Sequence, residues 1–362
     1  MEKNEVIGLM SGSSLDGIDI IDAVFWNDGE WRYEIIAKET IDYSDSWKKA
    51  LSEAFYFTEE QLKQLDIQYG SMLGKTISDF IARNGIHPEI IASHGHTIFH
   101  RPEERYTLQI GDGQAIADEC GITVINDFRT EDVLKGGQGA PLVPIGDKLL
   151  FHSYPICLNI GGIANVSYDV ENQRIAYDIC IANQALNYLS NTYDNTLSYD
   201  KDGEIARSGK INQELLGRLN ALDYYYKNPP KSLGREDFED KVLPLFDLRR
   251  MPVNDVMATF VEHIAIQVGR SVSRCATTTM MISGGGAKNK YLVERIRHNT
   301  RHQVFIPAVE IIDYKEALVF AFLGLLRKRG ETNILKSVTG ASSDSSSGKI
   351  HHVSSSSRRN NG

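Results

Sequence analysis

The chain has 362 residues, of which 41% are hydrophobic, so it can bury one large core or two moderate ones. The formal net charge is −9, and no dense stripe of lysine and arginine interrupts the acidic excess. This balance argues against a surface for nucleic acid and favours small-molecule ligands. The four cysteines are widely scattered without a Cys-x-x-Cys pair, which argues against a disulfide framework and against a zinc ribbon.

The N-terminal apolar stretch does not have the pattern of a signal peptide, because Asp16, Asp19 and Asp22 interrupt residues 6–25. No later run of about 20 apolar residues could span a bilayer. We therefore expect a cytoplasmic protein with no membrane partner.

Two strand-turn-strand units with glycine-containing turns stand out along the chain. The first covers residues 6–26 with its turn at 11–17, and the second covers residues 156–170 with its turn at 161–165. The two units are roughly one domain length apart, which predicts two related halves. Two glycine turns can also resemble each other by chance.

Between and beyond these units, helical and strand-like segments alternate, as is typical of a layered α/β fold. One helix is predicted from a cap at Asn254 to about residue 271, and a last helix over residues 315–329 ends at Gly330. From residue 341 onward serine dominates, so we expect a disordered tail. The other predicted elements are a helix and three strands, at residues 58–84, 89–93, 107–110 and 123–126.

The first glycine turn has the composition of a phosphate site, because backbone donors can converge there without obstruction by Cβ atoms. Asp16 and Asp19 lie where a carboxylate could hold Mg²⁺ through water. Taken alone, a Gly-Ser turn followed by aspartate is more often an ordinary hairpin. The predicted ATP-binding residues of this segment are Gly12, Ser13, Ser14, Leu15, Asp16, Gly17, Ile18 and Asp19.

Two further glycine motifs predict contacts with a nucleotide. The turn of the second hairpin allows a similar backbone approach, and the string SGGGAKN (283–289) places three glycines between an apolar strand and a helical run. The latter matches neither a P-loop nor the Gly-x-Gly-x-x-Gly of a dinucleotide fold. The predicted ATP-binding residues of these motifs are Gly161, Gly162, Gly284, Gly285, Gly286 and Asn289.

The order of these motifs resembles the layout of the actin/hexokinase-like ATPases. Several strings between about residues 5 and 340 also resemble the anhydro-N-acetylmuramic acid kinase family: GLMSGSSLDGID (8–19), SHGHTIFHRP (93–102), GGQGAPLVP (136–144), LNIGGIAN (158–165), YDKDG (199–203), PPKSLGRE (229–236) and SGGGAKN (283–289).

This resemblance implies a duplicated, ribonuclease H-like α/β fold of two domains, with the nucleotide in an interdomain cleft. We expect a first domain at residues 1–127 plus about 315–340, a second at 128–314, and the disordered tail at 341–362. It also implies a homodimeric kinase of peptidoglycan recycling that uses ATP and Mg²⁺. Water would open the 1,6-anhydro bridge of the amino sugar while O6 receives the γ-phosphate, which gives N-acetylmuramic acid 6-phosphate.

The resemblance further implies which residues act on the sugar. The family motif Asp-Thr-Gly-Pro-Gly-Asn corresponds to DICIAN (178–183), so Asp178 is the expected general base although the Gly-Pro is absent. From the residues alone, an aspartate after an apolar strand is more often a helix cap. The planar guanidinium of Arg129 suits two parallel hydrogen bonds to the lactyl carboxylate of a muramic acid. The expected substrate-binding residues are His96, His100, Asp127, Arg129, Asn165 and Glu316.

Several alternatives stay open for these residues. The spacing of His94, His96 and His100 resembles that of metal ligands, although no cysteine or acidic cluster completes such a site. Asp127 and Arg129 could instead form a surface ion pair.

Two other functions compete with the sugar kinase. A glycoside hydrolase would use Asp178 with a second carboxylate such as Glu316 and would need no nucleotide. A catalytically altered ATP-binding or sensor protein would keep the glycine motifs and would have lost the chemistry through the changes at residues 179–182.

Overall fold

The computed structural model describes residues 2–12, 15 and 17–355. The chain divides into unit 1, which contains the residues up to Leu150 and from Tyr314 onward, and unit 2, Phe151–Asp313. The strands are β1 (Asn4–Ser11), β2 (Gly17–Asn27), β3 (Trp31–Asp42), β4 (Ile90–Ser93), β5 (His96–Arg101), β6 (Tyr106–Ile110), β7 (Val124–Asn126), β8 (Ile156–Ile160), β9 (Ile163–Val170), β10 (Gln173–Ile181), β11 (Thr279–Ser283), β12 (Gln303–Phe305) and β13 (Lys349–His351).

The helices are α1 (Asp45–Glu53), α2 (Glu59–Asn84), α3 (Gly113–Cys120), α4 (Thr130–Leu134), α5 (Pro144–Leu149), α6 (Asn183–Tyr193), α7 (Glu204–Ser208), α8 (Gln213–Asn220), α9 (Arg235–Asp237), α10 (Val253–Ser271), α11 (Lys290–Asn299), α12 (Val309–Lys328) and α13 (Lys336–Thr339). Within the described part of the chain, no helix combines the length and the apolarity that a membrane span requires.

Each unit is built on a mixed sheet with the same central strand order. In unit 1, antiparallel strands β3, β2 and β1 are followed by parallel strands β4 and β7, with β13 antiparallel at the edge. In unit 2, antiparallel strands β10, β9 and β8 are followed by parallel strands β11 and β12. The repeated order confirms the predicted duplicated, ribonuclease H-like α/β fold of the actin/hexokinase-like class. The hairpins β1–β2 and β8–β9 are the two predicted strand-turn-strand units.

In unit 1, helices pack against both faces of the sheet. Ile20 of β2 shares a buried core with Ile77 of α2. Successive residues of a strand face opposite sides of the sheet, and on the other side α12 approaches β1 at Gly8. A Cβ atom at Gly8 would lie 2.1 Å from the Ala317 carbonyl oxygen, so only glycine permits this approach.

In unit 2, α10 supplies the centre of the core. The predicted apolar stripe is completely buried, and its members are Val256, Phe260, Ile264 and Val268. The predicted cap at Asn254 is wrong, because the helix starts at Val253 and its N-cap is Pro252. The Asn254 side chain instead donates from Nδ2 to the Ser208 hydroxyl at 3.2 Å.

The structure corrects the expected disorder of the chain after residue 340. Residues 341–355 are ordered in unit 1, where β13 pairs with β7 at the sheet edge. The Ser347 hydroxyl donates to the Phe128 carbonyl oxygen at 2.8 Å, and Asn333 Nδ2 donates to the Ser347 carbonyl oxygen at 2.8 Å. Ser347 therefore bonds to buried groups of unit 1 instead of lying in a free tail. Residues 356–362 of the expected tail lie outside the described residues.

The first domain boundary also differs from the expected one. Residues 128–150, expected in the second domain, belong to unit 1. A buried ion pair explains this placement, since Lys315 Nζ of α12 lies 2.6 Å from Asp147 Oδ1 of α5. A Cβ atom at Gly146 would lie only 2.5 Å from the Val319 side chain, so α5 packs closely on α12.

A buried carboxyl group in β2 makes the stability of unit 1 depend on pH. Asp22 is fully buried, and neither of its carboxyl oxygens has a hydrogen-bond partner in the described chain. Desolvation, with a smaller contribution from Glu5, raises the pKa of Asp22 to about 7. An unfolded aspartate has a pKa of about 4. The unfolded state therefore loses its proton first, and stability declines as the pH rises between these two values.

We expect Asp22→Asn, which keeps the shape but cannot ionise, to raise Tm more at pH 8 than at pH 5. Thermal denaturation of the wild type and the variant at both pH values measures this difference. Asp79→Asn, at an exposed position of α2, is the matched control and should show no such pH-dependent gain. An equal change of Tm at the two pH values in Asp22→Asn would contradict the assignment.

Candidate active site

The turn between β8 and β9 is tied to the start of helix α6. The backbone N–H groups of Ala182 and Gln184 donate to the Gly162 carbonyl oxygen at 2.8 and 3.2 Å. The Asn183 N–H donates to the Gly161 carbonyl oxygen at 3.1 Å. These bonds fix the turn at the point where β10 passes into α6.

The glycines of the two motifs in unit 2 are glycine for different reasons. A Cβ atom at Gly286 would lie 2.3 Å from the Ile160 side chain, and Gly284 has a φ of +78°, so packing and backbone conformation require these two glycines. At Gly162 and Gly285, the nearest protein atoms to an added Cβ would be 3.8 and 3.6 Å away. The protein itself does not require glycine there, and the space above these two backbones is open to a ligand.

A cavity of about 500 Å³ lies beside Gly285, within the size range of ligand pockets. Side chains of α6, residues 199–202 and the turn before α11 form its walls. The predicted ATP-binding residue Asn289 lines the cavity and caps α11, since its Oδ1 accepts from the Leu292 N–H at 2.9 Å. The cavity can accommodate a nucleoside next to the open glycine backbone.

Sequence reasoning assigned no role to two parts of this cavity. Asn183 of α6 lines it, and its Nδ2 donates to the Ile160 carbonyl oxygen at 3.1 Å. In the YDKDG string, Asp200 accepts from the Ile205 N–H at 3.0 Å and so holds the start of α7. The string was one of the family-like motifs, but nothing in its composition distinguishes a cavity wall from a surface turn.

Asp178 lies in β10 beside a bulge of the strand and is half-buried. Its Oδ2 accepts from the Leu233 N–H at 2.9 Å, and its N–H donates to the Lys231 carbonyl oxygen at 3.2 Å. Desolvation raises the pKa of Asp178, and the bond from Leu233 opposes this rise. The alternative role of Asp178 as a helix cap is wrong, because the N-cap of α6 is Ala182.

The register of the sheet brings Asn165 to Asp178. Asn165 of β9 is directly opposite Asp178 of β10, Asn159 of β8 is opposite Asn165, and Ser283 of β11 is opposite Asn159. Cβ atoms of directly opposite residues in antiparallel strands lie about 4.5–5.5 Å apart. A polar row therefore crosses the sheet and ends at Asp178. Asn159 was not predicted, because its place depends on a register that sequence alone does not reveal.

The first hairpin turn, in unit 1, is described only in part, because the predicted residues Ser13, Ser14 and Asp16 lie outside the described residues. Leu15 has a positive φ of 59°, and its N–H donates to the Gly12 carbonyl oxygen at 3.5 Å. Gly17 starts β2, where a Cβ atom would lie 2.6 Å from the Ile41 carbonyl oxygen. Packing therefore accounts for glycine at position 17.

Two predicted nucleotide-binding residues of β2 have different surroundings. The Ile18 side chain is buried in the core of unit 1, which leaves only its backbone for a ligand. Asp19 is half-buried, and its Oδ1 accepts from the Thr40 hydroxyl at 2.6 Å.

Arg129 is held by neutral acceptors. Its Nε donates to His94 Nε2 at 3.1 Å, and its Nη1 donates to the Gly139 carbonyl oxygen at 2.5 Å. His94 Nδ1 lies 2.8 Å from the Gly95 carbonyl oxygen, so Nδ1 carries the proton and Nε2 accepts. Desolvation, followed by the charge of Arg129, lowers the pKa of His94 well below its usual value. Desolvation also lowers the pKa of Arg129 to about 10, and the group stays charged at neutral pH.

The alternative ion pair between Asp127 and Arg129 is wrong. Asp127 Oδ2 lies 2.8 Å from Lys349 Nζ of β13, and Asp127 Oδ1 accepts from the Thr130 N–H at the start of α4. The partner of Asp127 comes from the C-terminal segment that was expected to be disordered.

Glu316 lies near Arg129 and Asp19 in unit 1. Glu316 is accessible to solvent, yet enough protein surrounds its carboxyl group for desolvation to raise its pKa. Lys315 and Arg129 oppose this rise, and Asp19 adds to it. The structure therefore brings these expected sugar and metal residues into one electrostatic environment.

The two histidines that were expected to bind the sugar, His96 and His100, each lie beside a hydroxyl group. His96 is buried, its Nδ1 is 3.0 Å from the Ser11 hydroxyl, and desolvation lowers its pKa to about 4. His100 Nδ1 is 3.1 Å from the Thr107 hydroxyl, and a Cβ atom at Gly139 would lie 3.3 Å from the His100 ring. Across the described residues, no group of three His, Cys, Asp or Glu side chains has the arrangement of a metal site.

The expected site residues thus form two groups, one in each unit. Unit 1 carries the first glycine turn and the residues expected to bind the sugar, with the exception of Asn165. Unit 2 carries Asp178, Asn165 and the two other glycine motifs.

Residues 4–353 match the family model for anhydro-N-acetylmuramic acid kinase. The chain is 34% identical to the anhydro-N-acetylmuramic acid kinase of Mannheimia succiniciproducens, over 97% of this chain and 99% of that one. It is 32% identical to that of Sulfurimonas denitrificans, over 95% and 98% of the two chains, and 35% identical to that of Xylella fastidiosa, over 95% of each.

Among solved structures, a ROK family glucokinase from Streptomyces griseus in complex with glucose and AMPPNP aligns with 88% of this chain and 99% of its own. The TM-score is 0.41 and the identity 12%. The strand order of the two sheets defines the fold, and the match over nearly the whole chain defines the family. The chain belongs to the anhydro-N-acetylmuramic acid kinase family.

Proposed function

We propose that this chain is a kinase that uses ATP and Mg²⁺ to convert 1,6-anhydro-N-acetylmuramic acid into N-acetylmuramic acid 6-phosphate. The observation that carries the proposal is the pairing, in unit 2, of a desolvated Asp178 carboxyl group with an unobstructed glycine turn at Gly161 and Gly162. Membership of the family favours this function over a glycoside hydrolase that needs no nucleotide. The family resemblance also supports a role in peptidoglycan recycling, a cytoplasmic location and a homodimer.

In the proposed reaction, the Asp178 carboxylate accepts a proton from the water that attacks C1 of the sugar. The C1–O6 bond breaks, O6 takes the electron pair and bonds to the γ-phosphorus of ATP, and ADP leaves. Asp178 suits this role because its Oδ2 is oriented by the Leu233 N–H and desolvation makes the carboxylate more basic.

Among the residues that the structure describes, Asp19 is the candidate ligand for Mg²⁺. Carboxylate oxygens are ligands that Mg²⁺ binds directly or through water. When bound, Mg²⁺ neutralises charge on the phosphates. Asp16, the other expected ligand, lies outside the described residues.

Arg129 is proposed to bind the lactyl carboxylate of the sugar. His94 and Gly139 fix its guanidinium by accepting its hydrogen bonds, and Glu316 and Asp132 compensate only part of its charge, so positive charge remains to attract an anionic group. His96, His100, Asp127, Asn165 and Glu316 are proposed to contact the rest of the sugar.

We expect Asp178→Asn to lower kcat by about 10²–10⁴-fold, because an amide cannot accept the proton. ATP affinity should stay nearly unchanged, and Asp223→Asn, an exposed position of unit 2, is the matched control. In the wild type, kcat should fall with decreasing pH at a higher pH than an ordinary aspartate would give, since the base must be ionised and its pKa is raised.

The proposed reaction also determines which positions of the product carry the oxygen from water and the phosphate from ATP. In ¹⁸O-water, mass spectrometry of the wild-type product should find one label at C1 and the phosphate on O6. A phosphorylated sugar with an intact anhydro ring would contradict the mechanism, as would full activity of Asp178→Asn.

We expect Arg129→Lys to raise the KM for the anhydro sugar by about 10-fold or more, because lysine keeps the charge but loses the planar fork. The KM for ATP should not change. Arg101→Lys, on the accessible hairpin β5–β6, is the matched control, and circular dichroism checks the fold. An unchanged KM for the sugar in folded Arg129→Lys would remove this assignment.

We expect Gly162→Val and Gly285→Val to weaken ATP binding at least several-fold, because each side chain would fill space that is open above the backbone. Isothermal titration calorimetry measures the affinity. Gly217→Val is the matched control, since Gly217 is also unobstructed but does not line the cavity. If both variants bind ATP as the control does, the glycine turns are not the nucleotide site.

A further inference from the structure

A second cavity of unit 2, of about 310 Å³, has no part in the proposed reaction. Four cationic side chains line it, Lys227, Lys231, Arg270 and Arg274, and no acidic residue is among its described lining residues. The chain as a whole has a formal net charge of −9, so this concentration of positive charge stands out. Like charges that lie close together without compensation are unfavourable, which favours an anionic occupant.

The protein neutralises little of this charge, since Asp237 acts on Lys227 only as one of several weaker electrostatic influences. In the part of the chain that the structure describes, the side chains of Lys227, Arg270 and Arg274 form no hydrogen bond or ion pair, and all three residues are exposed. Lys231 Nζ donates to the Tyr224 carbonyl oxygen at 3.2 Å and lies 4.5 Å from the centre of the Tyr224 ring. Several cationic groups therefore remain available to one multiply charged anion.

The remaining walls of this cavity have the properties of a surface that binds a sugar ring. Tyr168, Tyr177 and Tyr225 line the cavity. The rings of Tyr168 and Tyr177 are edge to face, 6.3 Å apart, and their hydroxyl groups are 3.3 Å apart. Tyrosine combines an apolar face with a polar tip, which matches the mixed surface of a sugar. The volume, near the lower end of ligand pockets, limits the occupant to a small molecule.

The cavity is also connected to the proposed base. The segment from Lys227 to Lys231 forms part of its wall. The Lys231 carbonyl oxygen accepts from the backbone N–H of Asp178, and the N–H of Leu233, two residues further along the chain, donates to Asp178 Oδ2. A ligand that moves this segment would therefore change the position of the carboxylate.

We propose that this cavity is a regulatory site for a phosphate monoester, occupied by a phosphorylated sugar, and that occupation lowers turnover through the segment that holds Asp178. Arg270 and Arg274 would bind the phosphate group, and the tyrosines would contact the ring. The choice of a sugar phosphate rests on the proposed function, whose product carries a phosphate on O6.

Titration calorimetry in the presence of a saturating non-hydrolysable ATP analogue tests the site. The probes are inorganic phosphate and N-acetylmuramic acid 6-phosphate, and the latter should bind more tightly because it adds the ring. The double variant Arg270→Gln/Arg274→Gln should weaken both by about 10-fold or more. Arg250→Gln, whose side chain is 86% exposed outside the cavity, is the matched control and should bind both as the wild type does.

A second readout is turnover at saturating ATP and sugar. Added phosphate should lower kcat of the wild type and should have little effect on the double variant, whose kcat without phosphate should be normal. Equal binding of both probes by wild type and double variant would overturn the proposal. A double variant that changes the sedimentation coefficient but not phosphate binding would also overturn it, because the cavity would then be a contact between two copies.

Different results would contradict the regulatory site and the proposed kinase function. Normal kinase activity without phosphate binding at this cavity would contradict the regulatory site alone. Phosphate binding that depends on Arg270 and Arg274 in a wild-type chain without kinase activity would support the anion site and contradict the proposed function.

Discussion

The hydrogen bonds between the start of α6 and the β8–β9 turn constrain the rest of the site in unit 2. They hold Gly161 and Gly162 with their backbones unobstructed. Because β10 runs directly into α6, the same bonds fix the end of the strand that carries Asp178. Asn165 follows the turn in β9, and the register places it opposite Asp178. One short set of backbone bonds thus determines both the open glycine turn and the surroundings of the proposed base.

The functional groups share a second property, which is that backbone and neutral groups orient them. Asp178 receives a backbone N–H from Leu233, and desolvation is the largest influence on its pKa. Arg129 donates to the Gly139 carbonyl oxygen and to a neutral His94. Burying a charge without an opposite charge costs stability. Glu316 and Asp132 compensate only part of the Arg129 charge, and no cation among the described residues contributes to the pKa of Asp178, so a ligand or a reacting water can interact with these groups.

Much of the fold could be predicted from the sequence, because alternating strands and glycine turns are local features. The duplicated sheet followed from two hairpins, which the strand order confirms. Long-range contacts could not be predicted. Serine-rich composition indicated a disordered tail, whereas Ser347 bonds to the Phe128 carbonyl oxygen. The ion pair of Lys315 with Asp147 places α5 in unit 1 against expectation. Asn159 was missed for the same reason, since its place beside Asn165 depends on strand register.

In the proposed reaction, nucleotide turnover depends on opening an anhydro sugar at the site around Asp178. ADP release by the purified chain in the presence of ATP and Mg²⁺ measures this dependence. The measurement compares 1,6-anhydro-N-acetylmuramic acid, N-acetylmuramic acid with an open C1, and no sugar. We expect rapid ADP release with the anhydro sugar alone, with one molecule of sugar phosphate formed for each ADP. ADP release that is equal under all three conditions, or absent with the anhydro sugar, would contradict it.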